Sequence, residues 1–167
     1  MKTAIYPGSF DPITLGHLNL IKRAARIFDR VVVCIMVNSE KNPLFNLDER
    51  QEMVTKAVKR FENVEVDTSD GLLAEYAGRY EYPIIIKGLR AMSDFESEFQ
   101  MALINKKINP DLDTLFLSAS EKYTYLSSSI VKEMARYGAD VSDFVPFEIL
   151  QDVIKKANQR RLDAHGK

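Results

Sequence analysis

The segment from Tyr6 to His17 (YPGSFDPITLGH) places groups that suit phosphate between a short apolar run and a helical pattern. Gly8 and Gly16 let a ligand approach the backbone, because they carry no Cβ. Thr14 is a candidate N-cap, and His17 then falls in the first helical turn. Free backbone N–H groups and the positive end of a helix favour an anion at such a position. The segment therefore predicts a phosphate site.

Other polar groups follow apolar runs further along the chain. Lys87 and Arg90 flank Gly88, and Lys41 stands in a polar stretch after a second run. The serines of Ser127–Ser129 open a helical pattern, although capping a helix needs only one hydroxyl. Each cluster alone is typical of a solvated surface. Together they indicate an anion site if the fold brings them to one place.

Strand-like and helical patterns alternate along the whole chain, which predicts right-handed βαβ units on a parallel sheet. The predicted strands are Thr3–Tyr6, Arg30–Val37, Asn63–Val66, Pro83–Lys87 and Thr114–Leu117. The predicted helices are Gly16–Phe28, Leu47–Arg60, Leu72–Tyr80, Asp94–Ile108, Ser127–Tyr137 and Phe147–Arg160.

Five such strands favour an α/β, Rossmann-like doubly wound sheet of order 3-2-1-4-5, with helices on both faces. The strand order reverses between strands 1 and 4, and ligands bind beside that switch at the carboxyl ends. The loops after these two strands face each other there. The topology therefore sets Lys87 and Arg90 across a crevice from His17.

The bulk composition is that of one ordinary soluble domain. The chain has 167 residues, of which 46% are hydrophobic and 28% charged, and its net charge is −1. We expect a single domain over residues 1–167 with a frayed tail from Arg160 to Lys167. The net charge creates no overall field that would attract nucleic acid, and no apolar run is long enough to span a bilayer. We therefore expect neither nucleic acid nor a membrane as a partner, and we expect a cytoplasmic location. The lone Cys34 is predicted to be buried and inert, and no metal ligands are assigned.

The stretch Thr14-Leu15-Gly16-His17 resembles the T/HxGH signature of the nucleotidyltransferase superfamily. The wider segments Pro7–His17, Gly88-Leu89-Arg90, Asp94-Phe95-Glu96 and Leu126–Glu133, with Lys41 before Pro-Leu-Phe, resemble bacterial phosphopantetheine adenylyltransferases over nearly the whole chain. This resemblance implies transfer of the adenylyl group of ATP to 4′-phosphopantetheine, which gives dephospho-coenzyme A and pyrophosphate.

The resemblance also implies a role for individual residues. His17 is the implied catalytic group. The implied phosphopantetheine site comprises Ser9, Lys41, Leu73 and Lys87. The implied ATP site comprises Ser9, Phe10, His17, Gly88, Leu89, Arg90, Glu98, Tyr123, Thr124, Tyr125, Leu126, Ser127, Ser128 and Ser129.

Members of the family resembled are usually homohexamers that use Mg2+ and are inhibited by coenzyme A, so these properties are expected here. Two positions depart from a common form of the family, which often has Thr in place of Ser9 and Arg in place of Lys87. The first change keeps the hydroxyl, and the second replaces a bidentate fork with a point charge.

The substrate phosphate is already a nucleophile, so the expected chemistry is direct in-line attack without a covalent intermediate. The protein then positions two anions and neutralises their charge. Two alternatives remain open: a sister adenylyl- or cytidylyltransferase with another phosphorylated acceptor, and a nucleotide sensor without catalytic activity.

Overall fold

Five parallel strands form one sheet at the centre of the protein. The computed structural model describes residues 1–37 and 42–165. The strands are β1 (Thr3–Gly8), β2 (Arg30–Met36), β3 (Val64–Ser69), β4 (Ile84–Leu89) and β5 (Asp113–Ser118). Their order is β3-β2-β1-β4-β5, and each neighbouring pair runs parallel. The predicted doubly wound order is confirmed.

Helices follow the strands in alternation, as predicted. They are α1 (Leu15–Ile27), α2 (Leu47–Val58), α3 (Leu73–Ala77), α4 (Met92–Ile108), α5 (Ser128–Arg136) and α6 (Leu150–His165). Short 3-10 turns precede α5 and α6 at Glu121–Tyr123 and Phe147–Ile149. Among the described residues, none of these helices combines the length and the apolar character that crossing a bilayer would require.

Several element ends differ from the prediction. Strands β1 and β4 each run two residues further, so Gly8, Gly88 and Leu89 lie in strands and not in loops. Helix α3 is shorter than the predicted Leu72–Tyr80, because the backbone after Ala77 tightens into turns with i-to-i+3 hydrogen bonds. Helix α6 continues to His165, and the expected fraying of the tail from Arg160 stays a prediction.

The two faces of the sheet bury separate clusters of side chains. Alternate residues of β2 point to opposite faces, so Val33 joins the larger cluster under α1, α2, α5 and α6, whereas Val32 and Cys34 join a smaller one under α3. This explains why β2 reads as a continuous apolar run. Cys34 is fully buried, and burial raises the pKa of its thiol to about 11. The predicted burial of Cys34 is confirmed.

The outer side of α4 is uncovered and apolar. Asn105 is the buried residue of this helix. Phe95 and Phe99 stack with ring centroids 5.4 Å apart, yet both remain partly exposed. We define the α4 face as the exposed apolar side chains Phe95, Phe99, Leu103, Ile104 and Ile108 of α4 and Leu115 of β5.

The junction of β1 and α1 is fixed by a capping box. The side chain of Thr14 accepts a hydrogen bond from the backbone N–H of His17, and the His17 ring accepts one from the backbone N–H of Thr14. The predicted N-cap is therefore confirmed. Because the two groups satisfy each other, α1 begins at a fixed residue and His17 is held in its first turn.

Strand β4 approaches α1 closely at position 88, where the nearest neighbour is the side chain of Leu20. A Cβ added to Gly88 would collide with Cδ1 of Leu20. Leu20 is a buried α1 residue, and it borders the same cavity as Gly88. The side chain of Leu20 thus lies between the helix that carries His17 and the strand that carries Lys87.

We expect Gly88→Ala to lower the free energy of unfolding by about 1–3 kcal/mol, because the added methyl overpacks the site. Whether the contact with Leu20 causes this loss can be tested by urea unfolding of Gly88→Ala, Leu20→Ala and the double variant. In Leu20→Ala the smaller side chain leaves room for the added methyl. In that background Gly88→Ala should therefore change the free energy of unfolding little or not at all.

Gly71→Ala provides the matched control, because its added Cβ meets no atom within 4 Å. An equal cost of Gly88→Ala in both Leu20 backgrounds would show that the clash is not the cause.

Candidate active site

A crevice opens at the carboxyl ends of β1 and β4, where the strand order reverses. It is a cavity of about 240 Å³. The predicted site residues that line it are His17, Lys87, Gly88, Arg90, Glu98, Tyr123, Leu126, Ser127 and Ser128. The sequence-based expectation that the loops after strands 1 and 4 meet at one site is confirmed.

Two cations of the crevice are held by neighbouring groups. Lys87 Nζ lies 3.2 Å from a carboxylate oxygen of Glu98, one side chain from β4 and the other from α4. Arg90 Nε lies 3.4 Å from Asp94, and its Nη1 donates to the carbonyl of Leu126 at 3.2 Å. The cations are thus oriented without filling the crevice.

His17 is a neutral imidazole with a defined tautomer. Its Nδ1 accepts a hydrogen bond from the backbone N–H of Thr14 at 3.0 Å. The proton of the neutral ring therefore resides on Nε2. Burial, followed by the positive charge of Arg90, lowers the pKa of His17 from 6.5 to about 4. At neutral pH His17 is thus a hydrogen-bond donor through Nε2 without carrying a charge.

The aromatic rings of β1 and of the following loop pack around this imidazole. The Phe10 ring stands edge-on to His17 with centroids 5.1 Å apart, and Tyr6 lies 6.3 Å away. Phe10 adopts a positive φ of 48°, an uncommon conformation for a bulky residue that the surrounding core holds in place. These contacts restrict the ring of His17 to one orientation.

A second cavity of about 200 Å³ lies beside the crevice, and His17 and Ser128 border both spaces. We call it the second cavity. Ser9, Phe10 and Ser129, three of the predicted nucleotide residues, line this space rather than the crevice. The site therefore consists of two spaces that meet at His17.

The buried carboxylate of Asp11 forms one wall of the second cavity. Its two oxygens accept hydrogen bonds from the backbone N–H groups of Leu44 at 3.0 Å and Phe45 at 2.8 Å. Lys132 Nζ of α5 lies 2.8 Å from the same carboxylate. Asp11 thus joins the loop after β1, the segment before α2 and helix α5.

The start of α5 is attached to the same loop. Ser127 caps the helix by accepting from the N–H of Ile130 at 3.2 Å, and Ser128 donates its hydroxyl to the carbonyl of Pro12 at 2.7 Å. Ser129 is exposed. The three predicted serines therefore differ: one caps, one ties α5 to the loop after β1, and one faces outward beside the second cavity.

Some predicted residues are not brought to these two cavities. Leu73 begins α3 and packs against the cluster on the opposite sheet face. Leu89 ends β4 beside Ser118, and the side chains of Thr124 and Tyr125 are exposed. Their predicted binding roles stay predictions. Lys41 lies outside the described residues.

Sequence reasoning assigned no role to Asp11, Arg50 or Lys132, which line the second cavity. The sequence position of Arg50 could have indicated a buried arginine, because Arg50 shares a helical face with the buried residues Met53, Val54, Ala57 and Val58. An arginine on the apolar stripe of a helix is unusual. The partners of Asp11 lie at least 33 residues away, so no local pattern could reveal them.

The described residues contain no group of three His, Cys, Asp or Glu side chains arranged to hold a metal ion. Glu98 is paired with Lys87, and Asp11 is engaged by two N–H groups and Lys132. Such a donor set suits Mg2+ that is coordinated mainly by water and by the phosphates of a nucleotide.

Comparisons with known proteins relate the chain to nucleotidyltransferases. The cytidylyltransferase-like family model matches residues 5–134. A phosphopantetheine adenylyltransferase from Clostridium tetani is 52% identical over 160 residues, which cover 96% of this chain and 100% of the relative. One from Clostridium botulinum is 52% identical over 161 residues, which cover 96% of this chain and 98% of that protein.

Solved structures with similar folds are more distant in sequence. A structure provisionally described as a nicotinate-nucleotide adenylyltransferase from Vibrio parahaemolyticus has a TM-score of 0.64 at 19% identity, covering 92% of this chain and 99% of that one. A bifunctional NMN adenylyltransferase/ADP ribose pyrophosphatase from Francisella tularensis has a TM-score of 0.68 at 13% identity, covering 98% and 53%. These neighbours support the fold. On the strength of its near-full-length identity with the clostridial proteins, the chain belongs to the phosphopantetheine adenylyltransferase family, within the cytidylyltransferase-like nucleotidyltransferases.

Proposed function

We infer that this protein is an enzyme that transfers the adenylyl group of ATP to 4′-phosphopantetheine, giving dephospho-coenzyme A and pyrophosphate. The observation that carries the inference is 52% identity to phosphopantetheine adenylyltransferases over 96% of the chain. The site geometry agrees with the chemistry, because a neutral imidazole donor stands between two spaces bordered by cations.

The reaction is an in-line displacement at the α-phosphorus of ATP. An oxygen of the phosphopantetheine phosphate forms the new bond to that phosphorus. The bond from the α-phosphorus to the bridging oxygen breaks, and its electron pair goes to the departing pyrophosphate. Because the attacking oxygen is already anionic, the protein contributes by positioning the reactants and stabilising the charge that moves to the leaving group.

His17 supplies a fixed donor for this charge. Its Nδ1 accepts from the backbone N–H of Thr14, so Nε2 carries the single ring N–H and can donate it, and the depressed pKa keeps the ring neutral at physiological pH. A neutral imidazole can stabilise an oxyanion by hydrogen bonding without first having to lose or gain a proton. The capping box thus serves the chemistry by deciding which ring nitrogen donates.

Lys87 and Arg90 provide positive charge for the phosphates that meet in the crevice. Each is held by an acidic partner from α4, so each is oriented before substrate arrives. We assign the phosphopantetheine phosphate to Ser9, Lys41 and Lys87, with Leu73 near the pantetheine arm. We assign ATP to the residues of the implied ATP site named above. We propose that Mg2+ enters as the magnesium complex of ATP.

The α4 face supports the proposal that the protein assembles as a homohexamer. Its exposed side chains include Leu103 and Ile104, which are 56% and 44% exposed. A contiguous apolar surface on a soluble domain is typical of a subunit contact, and a second copy of this chain is the occupant we propose. We also propose a cytoplasmic enzyme that coenzyme A inhibits, since coenzyme A contains the same phosphopantetheine arm as the acceptor.

The assay that tests the function measures pyrophosphate release from ATP and Mg2+ with separate acceptors: 4′-phosphopantetheine, nicotinamide mononucleotide and nicotinate mononucleotide. We expect release with phosphopantetheine alone. His17→Ala should lower turnover by about 10²–10³, because it removes a donor to developing charge. Lys87→Ala should chiefly raise the KM for phosphopantetheine.

Lys22 is an exposed lysine of α1 outside both cavities. Lys22→Ala is therefore the control for the loss of a positive charge at a position away from the site. Release only with a pyridine mononucleotide would favour a sister enzyme with the same fold. Nucleotide binding without pyrophosphate release in the presence of any of the three acceptors would favour a nucleotide sensor.

The depressed pKa of His17 predicts its titration. Nitrogen NMR should find a neutral Nε2–H tautomer down to about pH 5, with a midpoint near the pKa of about 4. Because the unfolded ring binds its proton near pH 6.5, the free energy of unfolding should fall as the pH drops from about 6.5 towards 4. His165 is the other histidine of the chain, so His165→Asn assigns the signal. A His17 midpoint near 6.5 would contradict this account.

Sedimentation equilibrium tests the assembly. We expect the wild-type protein to sediment at six times its chain mass of 19.1 kDa, and Phe99→Glu to give smaller species because it buries a charge in the contact. Ile27→Glu, at another exposed apolar position, on α1, is the control and should remain hexameric. A wild-type monomer would overturn the proposal.

A further inference from the structure

One side of α6 carries three polar side chains that contact α2 and the segment before it. Asp152, Lys156 and Arg160 follow one another at intervals of four residues, so they lie on the same side of the helix. Asp152 lies 3.2 Å from Lys56 Nζ, in the last turn of α2. Lys156 and Arg160 reach the start of α2 and the residues that precede it. Helix α6 therefore runs past α2 in the opposite direction and contacts it along its length.

A first chain of contacts leads from Lys156 to Ser9. Lys156 Nζ lies 2.6 and 2.9 Å from the two carboxylate oxygens of Glu49. Glu49 also accepts a hydrogen bond from the backbone N–H of Asn46 at 2.8 Å. The carbonyl of Asn46 accepts from Arg50 Nε at 3.4 Å, and Arg50 Nη1 donates to the carbonyl of Ser9 at 2.9 Å. The contacts are thus continuous from α6 to the loop after β1.

A second chain of contacts leads from Arg160 to the same loop. Arg160 Nη2 donates to the carbonyl of Pro43 at 3.1 Å. The next two residues, Leu44 and Phe45, donate their backbone N–H groups to the buried carboxylate of Asp11 at 3.0 and 2.8 Å. The two chains of contacts therefore end two residues apart in the loop after β1.

Phe10 lies between the two end points, Ser9 and Asp11. Its φ of 48° is uncommon for a bulky residue, and such a conformation persists only where the surrounding contacts hold it. The Phe10 ring stands edge-on to His17. His17 itself is fixed separately, by its capping box with Thr14. The loop can therefore lose its position while His17 keeps its tautomer.

We propose that Lys156 and Arg160 are positioning residues, which act through the start of α2 to hold Ser9 and Phe10 in place for the nucleotide. None of the described residues of α6 lines the crevice or the second cavity. Helix α6 would thus contribute to substrate binding without touching the substrate. The inference rests on the proposed function only in taking the loop after β1 to contact ATP.

Steady-state kinetics of Lys156→Gln/Arg160→Gln tests the proposal. We expect the KM for ATP to rise about 3- to 10-fold, because two partly exposed contacts each contribute modestly to holding the loop. The kcat should change by less than about twofold, because His17 keeps its own cap. A loss of folded enzyme has the opposite signature, since it lowers the apparent kcat and leaves KM unchanged.

Lys155→Gln/Arg161→Gln is the matched control, because it removes two positive charges from the neighbouring positions of α6. Lys155 is exposed, and Arg161 lies against Gly138 at the end of α5. Neither takes part in the two chains of contacts, so the control should keep the wild-type KM. Lys156→Arg with Arg160→Lys keeps both charges and should bring the KM for ATP to within about twofold of the wild-type value.

The titration of His17 gives a measurement that needs no substrate. If the Phe10 ring moves away, water reaches the imidazole, and burial then lowers its pKa less. Nitrogen NMR should therefore find the midpoint of Lys156→Gln/Arg160→Gln above the wild-type value of about 4. Arg90, the charge that also lowers this pKa, is unchanged in the variant.

The outcomes separate this inference from the proposed function. A double variant with the wild-type KM for ATP and the wild-type His17 midpoint would overturn the positioning role, as would a lower kcat with unchanged KM and midpoint. Calorimetry with ATP and Mg2+ covers a protein that adenylylates no acceptor. Weaker ATP binding in the variant than in the control would then support the positioning role and refute the function. Without any ATP binding, a raised His17 midpoint supports the role and an unchanged one overturns it.

Discussion

The buried carboxylate of Asp11 joins three segments on which the geometry of the site depends. It accepts from Leu44 and Phe45, just before α2, and pairs with Lys132 of α5. A carboxylate that is 4% exposed requires such a set of donors, because burial of an unpaired charge costs several kcal/mol. The loop after β1 is thus fixed relative to the elements on either side of the second cavity. Ser128 and Arg50 strengthen the same attachment through the carbonyls of Pro12 and Ser9.

This anchoring gives His17 a fixed position from which a local hydrogen bond sets its chemistry. The capping box uses Nδ1 as the acceptor, so the proton must lie on Nε2. The rings of Phe10 and Tyr6 surround the imidazole, and burial together with Arg90 keeps it neutral. A helix cap is usually considered a device of stability. Here the same two residues also determine which ring nitrogen can donate to a phosphate.

The sequence predicted those parts of the site that depend on topology. Alternating patterns gave the sheet order, and the reversal between strands 1 and 4 correctly placed His17 opposite Lys87 and Arg90, since parallel strands bring their carboxyl ends to one edge. Element ends were less accurate: β4 extends to Leu89 because it remains paired with β5 as far as Ser118. The roles of Asp11 and Arg50 depend on contacts between residues 33 or more positions apart, and side-chain type alone does not reveal such partners.

The way in which the cations are held explains how a chain with a net charge of −1 can create a site for several phosphates. Lys87 and Arg90 are each paired with a carboxylate of α4 at 3.2 and 3.4 Å, and Lys132 is paired with Asp11. Pairing limits repulsion between the cations and fixes their direction before a ligand binds, but it also weakens the field that each can offer. Among the described residues, Arg50 is held by the carbonyls of Asn46 and Ser9 and by no carboxylate, so its charge is less compensated than that of the paired cations. Within the part of the chain that the structure describes, the least compensated cation of the site thus lies in the cavity that Arg50 shares with His17, and not beside the carboxylates of α4.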